Sequence, residues 1–493
     1  MKIKSLLLFL LIIGRIATYG IDNNTVTIKG KVVGFVPSRL QYVNPINGFS
    51  FPGFRDSIIY NVDGTFLLRF PIEQSSIITI YASSNTGLII AEPGESYSVS
   101  FELKDGKTLF NISGPNEAGQ KLYNELPSPY MVQFEFRRIG ESENFSLYSE
   151  KVKEEKDKQI KKFKDLLNRG LISESFFNKV MIDRNCYFST LLSTFPFVKY
   201  TKVDILRNEK FPEELKKQWG KVFEDNPPTD PKNLFSPRWF EYAKYYVEFK
   251  QYLSDTSDLK SLEKSLRKGL RYTEEIALSE KLFSKKVAET YAASLIYERC
   301  LQKKFEKEWI AIFERFNVKY PQSMAIPYLI PMVNPVAEYQ KLAKTNFSNQ
   351  VKFIDNADEI NTLEECMAKL KGKKIYVDVW ATWCGPCKVE FKYKDSLDIL
   401  MKSKGFEVLY ISIDKQDKEE QWKEMIKFYK LDGHHIRAHK EFQDDLIRIF
   451  NKNGTIAIPW YLLIDEQGKI INKDAARPSE IETLEKQIKM VKN

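Results

Sequence analysis

Along residues 21–115 the hydrophobic and polar positions alternate. Thr25–Val33 opens with Val26 and Ile28 on one side and Thr25, Thr27 and Lys29 on the other. Ser96–Leu103 repeats the pattern, with Tyr97, Val99, Phe101 and Leu103 predicted inward. A period of two belongs to a strand with one buried face. Asp63-Gly64 and Asp105-Gly106 are hairpin signals, and Pro93-Gly94 is a turn. The segment is expected to form a small antiparallel β sandwich or barrel. It has no Cys and no His, so it offers no obvious chemistry.

Residues 116–345 change to a helical period. In Glu150–Arg169, Val152, Ile160, Phe163 and Leu167 lie near one face and Gly170 stands at the C-terminal end. Asn226-Pro227-Pro228 through Pro231 reads as a loop. Trp239–Leu253 is crowded with aromatics, which suits a helix–helix core better than a peptide-binding groove. Pro321, Pro327, Pro331 and Pro335 mark a boundary.

Residues 346–493 mix both periods. Short apolar strands are expected at Ile375–Val379, interrupted by Asp378, and at Val408–Ile413, Tyr461–Ile464 and Ile470–Ile471. A helix is expected from about Ser479, and another within Lys415–Lys440 around Trp422, Met425, Ile426 and Tyr429. The chain therefore reads as multidomain. The expected parts are a β-rich domain at 21–115, an α-helical domain at 116–345 and an α/β domain at 346–493.

The N-terminus stands apart. Lys2 and Lys4 precede an apolar run from Leu6 to Ile13, and small and polar residues follow to Gly20. That is the layout of a signal peptide over residues 1–20, and the run is too short to span a membrane. The mature protein is expected outside the cytoplasm, in the periplasm, where disulfides persist.

The chain has 493 residues with 43% hydrophobic and 29% charged, enough to bury several cores. It carries 75 Lys+Arg against 66 Asp+Glu. Outside residues 1–20, the surplus lies in 116–345, with 40 basic and 33 acidic residues by count. Basic and acidic residues are interspersed there, which favours a solvated helical face over nucleic-acid binding. Five cysteines and three histidines exclude a disulfide-rich scaffold and a His-dense metal cluster.

The candidate chemistry lies at Trp380-Ala381-Thr382-Trp383-Cys384-Gly385-Pro386-Cys387-Lys388. Two residues between cysteines on a first helical turn bring the sulfurs close enough to bond. Cys384 at the helix start meets free backbone N–H groups that favour thiolate, and Cys387 sits one turn in. Gly385 permits the tight turn, and Pro386 is tolerated in the first turn. A zinc site would need a second such pair or spaced histidines. His434, His435 and His439 are expected on a loop near Gly433 and not as ligands; no metal and no cofactor are expected. Cys366 is expected to be a buried free thiol on a helix under the sheet. Cys186 and Cys300 could pair, which the sequence does not establish.

The stretch Val377-Asp-Val-Trp-Ala-Thr-Trp-Cys-Gly-Pro-Cys-Lys388 resembles the thioredoxin active-site signature. The run from about Phe353 to Val491 is similar to the extracytoplasmic TlpA/ResA-like branch of that superfamily. The turns Asn61-Val62-Asp63-Gly64, Glu92-Pro93-Gly94 and Gly114-Pro115-Asn116-Glu117 resemble those of β-rich domains that precede thioredoxin-like domains in secreted Bacteroidota proteins. The resemblance implies a thioredoxin-like fold and thiol–disulfide exchange. By position it makes Cys384 the attacking cysteine, Cys387 the resolving cysteine and Asp378 the buried acid behind them. It makes Ile458-Pro459 the cis pair facing the disulfide and Trp383 a substrate-side aromatic. The Gly-Pro dipeptide is similar to that of reducing members, which implies protein disulfides as substrates and a membrane thiol as electron donor. Isomerase or oxidase activity, or polypeptide binding with an accessory redox domain, stay open at this level.

Three departures from the pattern stand out. Tyr410 is expected where small thioredoxins carry a lysine near the buried acid. Phe391 and Lys392 follow Glu390 where relatives have a helix-bending proline, so a straighter helix is expected. Lys415–Lys440 adds length, as in the TlpA-like branch.

Overall fold

The computed structural model describes residues 24–490 apart from 130, 140–143, 204–210, 254–263, 265–267 and 451–453. The proposed signal peptide lies outside the described residues. The chain forms two compact units: one runs to Ser294 and includes Gln322–Tyr328, the other comprises Leu295–Pro321 and the chain from Leu329 onward. The helical segment thus divides between them.

In the first unit, strands β1 (Thr25–Val33), β2 (Leu40–Val43), β3 (Arg55–Ser57), β4 (Thr65–Pro71), β5 (Ser76–Ala82), β6 (Asn85–Ala91), β7 (Ser96–Lys104) and β8 (Lys107–Ser113) build two four-stranded sheets. Their orders are β4-β1-β7-β8 and β3-β2-β5-β6. The sandwich core joins Val26, Ile28, Tyr97, Val99 and Phe101 of one sheet to Ile78, Ile80 and Ile89 of the other. The alternation in the sequence thus places its apolar residues inward. Leu103 is the exception: it is 45% exposed, because the strand there runs out past the core toward the Asp105-Gly106 hairpin turn. Both turn residues have positive φ, 51° and 73°, as a tight two-residue hairpin requires. One pairing departs from the antiparallel pattern: β1 runs parallel to β7.

Helices follow in this unit, among them Phe145–Asn168, Glu174–Val203, Glu213–Asp225 and Trp239–Tyr252. Trp239, Phe240, Tyr242, Tyr245 and Phe249 are buried, so the aromatic stretch is helix core. The prolines before the last domain do not break the chain. A helix spans Ile326–Leu342 with Pro331 and Pro335 inside it. Leu329, Val333, Val336 and Tyr339 form its buried face, while Pro327 and Pro331 are exposed. Carbonyls left without an N–H by proline can be solvated on that outer side.

The second unit holds a six-stranded sheet in the order β14-β13-β10-β11-β12-β9. The strands are β9 (Val351–Phe353), β10 (Lys374–Trp380), β11 (Phe406–Ser412), β12 (Gly433–Arg437), β13 (Trp460–Ile464) and β14 (Ile470–Asn472). β10 runs parallel to β11 and antiparallel to β13. Ile375, Val377 and Val379 face a core shared with Cys366, Met367, Phe442 and Leu446. Tyr376, Asp378 and Trp380 alternate onto the other face. This is the expected α/β thioredoxin-like arrangement, with two strands, β9 and β12, that the apolar pattern did not mark. Both are short, and β12 carries His434 and His435. Gly433 opens β12 at φ +142°, where a Cβ would meet Val408 O at 2.6 Å. This glycine therefore marks a close strand approach, which corrects the expectation of a histidine loop.

Candidate redox site

The site forms where β10 ends. Trp380 closes the strand, Cys384 N–H donates to Ala381 O at 3.0 Å, and helix Gly385–Glu390 begins. Cys384 and Cys387 are joined by a disulfide with Cα atoms 5.4 Å apart. Cys384 occupies the helix-capping position, and its Sγ accepts the Cys387 N–H at 3.1 Å. A thiolate at that atom would keep the same donor, now as a stronger, charge-assisted bond. Cys384 is 3% exposed and Cys387 fully buried, whereas Gly385, Pro386 and Trp383 reach solvent. Ile458-Pro459 is a cis peptide, and both residues are half-buried.

The helix does not run straight. It gives way to a 3₁₀ turn at Phe391–Tyr393 before a second helix at Lys394–Lys404. No proline is involved. Two side chains hold the chain at the break. Glu390 accepts hydrogen bonds from Ser479 N and Oγ at 3.0 and 3.1 Å. Phe391 is drawn among Trp380, Tyr410 and Tyr429, with centroids 5.2, 6.4 and 5.0 Å away.

Asp378 is 1% exposed on the sheet face that carries Tyr376 and Trp380. Its register partners are Tyr410 on β11 and Tyr461 on β13, so the tyrosine does occupy the position beside the acid. Asp378 Oδ1 has no hydrogen-bond partner among the described residues. Burial, reinforced by the charge of Glu390, holds its carboxyl well above the usual carboxylate range. Glu390 is therefore a second buried acid at this face, and sequence reading passed over it. Its place three residues after Cys387, on the same side of the helix, was the available signal.

The turn before Cys384 has its own anchors. Thr382 donates from N and Oγ1 to Asp414 at 2.8 and 2.7 Å, and Ser412 Oγ donates to the same carboxylate at 2.8 Å. Lys388 Nζ donates to Thr382 O at 3.0 Å.

The remaining cysteines are free and buried, Cys186 and Cys300 included. Burial pushes the Cys366 and Cys300 thiols up to about 12 and raises Cys186 further still. His435 Nε2 donates to Leu431 O at 3.0 Å, and burial lowers its pKa to about 3. His434 lies 2.6 Å from Glu407. Among the described residues, no group of three or more His, Cys, Asp or Glu is arranged to hold a metal ion.

Residues 357–488 match the family model described as Redoxin. This redoxin-matching part of the chain has the thioredoxin-like fold and is similar to proteins of the TlpA/ResA type. The redoxin domain is 30% identical over 121 residues to a protein named thiol-disulfide oxidoreductase ResA from Bacillus thuringiensis subsp. konkukian, covering 24% of this chain and 65% of the relative. The ResA of Oceanobacillus iheyensis is 37% identical over 65 residues, covering 13% of this chain and 33% of the relative. The chain thus spans less than two thirds of the length of either. A crystal structure of the thioredoxin domain of a thiol-disulfide oxidoreductase from Bacteroides vulgatus is 27% identical, covering 26% of this chain and 84% of that chain, with a TM-score of 0.21.

Proposed function

We propose that this protein is an extracytoplasmic thiol–disulfide oxidoreductase that reduces disulfides in proteins. The observation that carries the reading is the Cys384–Cys387 disulfide at a helix start, with Cys384 Sγ on the Cys387 N–H. In the reduced enzyme, the Cys384 thiolate attacks one sulfur of a substrate disulfide. A mixed disulfide forms, and the other substrate sulfur leaves as thiolate and takes up a proton. Cys387 gives its proton to Asp378 and attacks Cys384 Sγ; the second substrate sulfur leaves as thiolate and takes up a proton, and Cys384–Cys387 closes. Two electrons have passed to the substrate, and a membrane thiol donor returns them.

Trp383 and the Ile458-Pro459 backbone receive the substrate chain, the latter by extended pairing. Gly385 and Pro386 keep the turn short. The relatives' shared name supports the exchange chemistry. The signal-peptide layout of residues 1–20 supports export to the periplasm. Within the described residues, no helix is long and apolar enough to cross a membrane.

Equilibration of the full chain with glutathione tests the direction. A potential near thioredoxin's, about −270 mV, together with turnover of insulin disulfides, supports reduction. A value near about −120 mV assigns the protein to disulfide formation instead.

A further inference from the structure

Lys388 is 3% exposed, directly after the resolving cysteine. Taking an ammonium out of water is costly unless its protons find acceptors. Here Nζ donates to two backbone carbonyls, Thr382 O at 3.0 Å and Lys303 O at 3.3 Å. Thr382 belongs to the turn that delivers Cys384, and Asp414 already holds its N–H and hydroxyl. Lys388 completes the set, so every polar group of Thr382 is held.

Lys303 lies in the segment Leu295–Pro321, well before the redoxin domain but in the same compact unit. Lys303 and Phe305 both adopt left-handed backbone, φ 51° and 58°. The Phe305 ring stacks on Tyr339 at 4.6 Å and lies 4.7 Å from Phe428. Its carbonyl accepts Gln340 Nε2 at 2.8 Å.

We propose that Lys388 is a positioning residue of the redox centre, joining the turn that carries Cys384 to the Lys303–Phe305 strap and so setting the reactivity of the Cys384 thiolate. The proposal rests on the exchange reading above. Its geometry is direct: moving the Thr382 peptide moves Cys384 off the Cys387 N–H that stabilises its thiolate. The charged groups around the ammonium are Lys303, Asp414, Lys304 and Glu306. Burial and the neighbouring Lys303 charge lower Lys388 to about 8, against the pull of Asp414.

The test is the pH profile of iodoacetamide alkylation at Cys384 in the reduced full chain, read by mass spectrometry. Lys388→Met is expected to move the midpoint upward and slow alkylation at neutral pH by roughly three- to tenfold, the weight of one hydrogen bond. Phe305→Ala, which loosens the strap, is expected to shift it the same way. The double variant should add little beyond either single change. Lys388→Arg keeps donors for both carbonyls and should restore part of the loss. Folding is checked by near-ultraviolet circular dichroism. Should Lys388→Met fail to fold, Lys388→Arg and Phe305→Leu carry the comparison.

Folded variants with the parent midpoint would overturn the proposal, as would strictly additive shifts. Alkylation needs no disulfide substrate. A parent protein that leaves insulin intact while these midpoints still shift would therefore remove the exchange reading and leave the positioning role standing.

Discussion

Replacing Asp378 by Asn should change how stability depends on pH, in a direction that the structure fixes. Asp378 is 1% exposed, flanked on its neighbouring strands by Tyr410 and Tyr461, and one of its oxygens is unpartnered among the described residues. Burial and the Glu390 charge raise its pKa. In the unfolded chain the group returns to about 3.9. Between those two values the folded state holds a proton that the unfolded state has released. Stability therefore falls as pH rises through the window. One proton of difference is worth about 1.4 kcal/mol per pH unit. Asn has nearly the same shape and does not titrate. The stability of Asp378→Asn relative to the parent should thus grow, by up to about 1.4 kcal/mol per pH unit, over a series of pH values from about 4 upward until the folded-state pKa is passed. The assay is urea unfolding of the oxidised protein at those pH values, following tryptophan fluorescence of the unit that holds Trp380 and Trp460. A difference that stays constant with pH would refute the assignment of a raised pKa to this carboxyl.

Other consequences follow from the same packing. Phe391→Ala empties the site among Trp380, Tyr410 and Tyr429, and should cost about 3–5 kcal/mol in urea unfolding. Gly433→Ala places a Cβ 2.6 Å from Val408 O at φ +142°, and should lower stability by about 1–3 kcal/mol with a measurable fall in Tm. With Cys186, Cys300 and Cys366 buried and their thiols raised, brief iodoacetamide treatment of the reduced protein near neutral pH should label Cys384 first; rapid labelling of Cys366 in peptide maps would contradict that burial. Thr382→Val removes one donor from the buried Asp414 carboxylate and should cost about 1.5–3 kcal/mol, whereas Thr382→Ser should keep most of it.

The parts of the fold that rest on a regular period were legible in the sequence. β1 and β7 declare their buried faces by alternation, β10 reads as a short apolar run, and the aromatic helix Trp239–Tyr252 buries what its pattern suggested. The Cys384–Cys387 pair was legible because its chemistry depends on spacing alone. What escaped depends on contacts across the fold. β12 is five residues long with two histidines, so no apolar run marks it; only its pairing with β11 makes it a strand. Pro331 and Pro335 look like breakers until the helix turns them away from its buried face. The break after Glu390 was expected to need proline, yet Ser479 and an aromatic cluster accompany it instead. Glu390, Asp414 and Lys388 are ordinary charged residues in the sequence, and their burial beside the disulfide appears only once the strands are assembled.

The central claim is that Cys384 and Cys387 exchange disulfides with a protein substrate in that order. Incubating the reduced Cys387→Ser full chain with insulin, then quenching with acid and reading intact masses, tests it directly. The account predicts a stable adduct linked through Cys384, released by dithiothreitol and absent from Cys384→Ser. No adduct with Cys387→Ser, or an adduct of equal yield with Cys384→Ser, would contradict it.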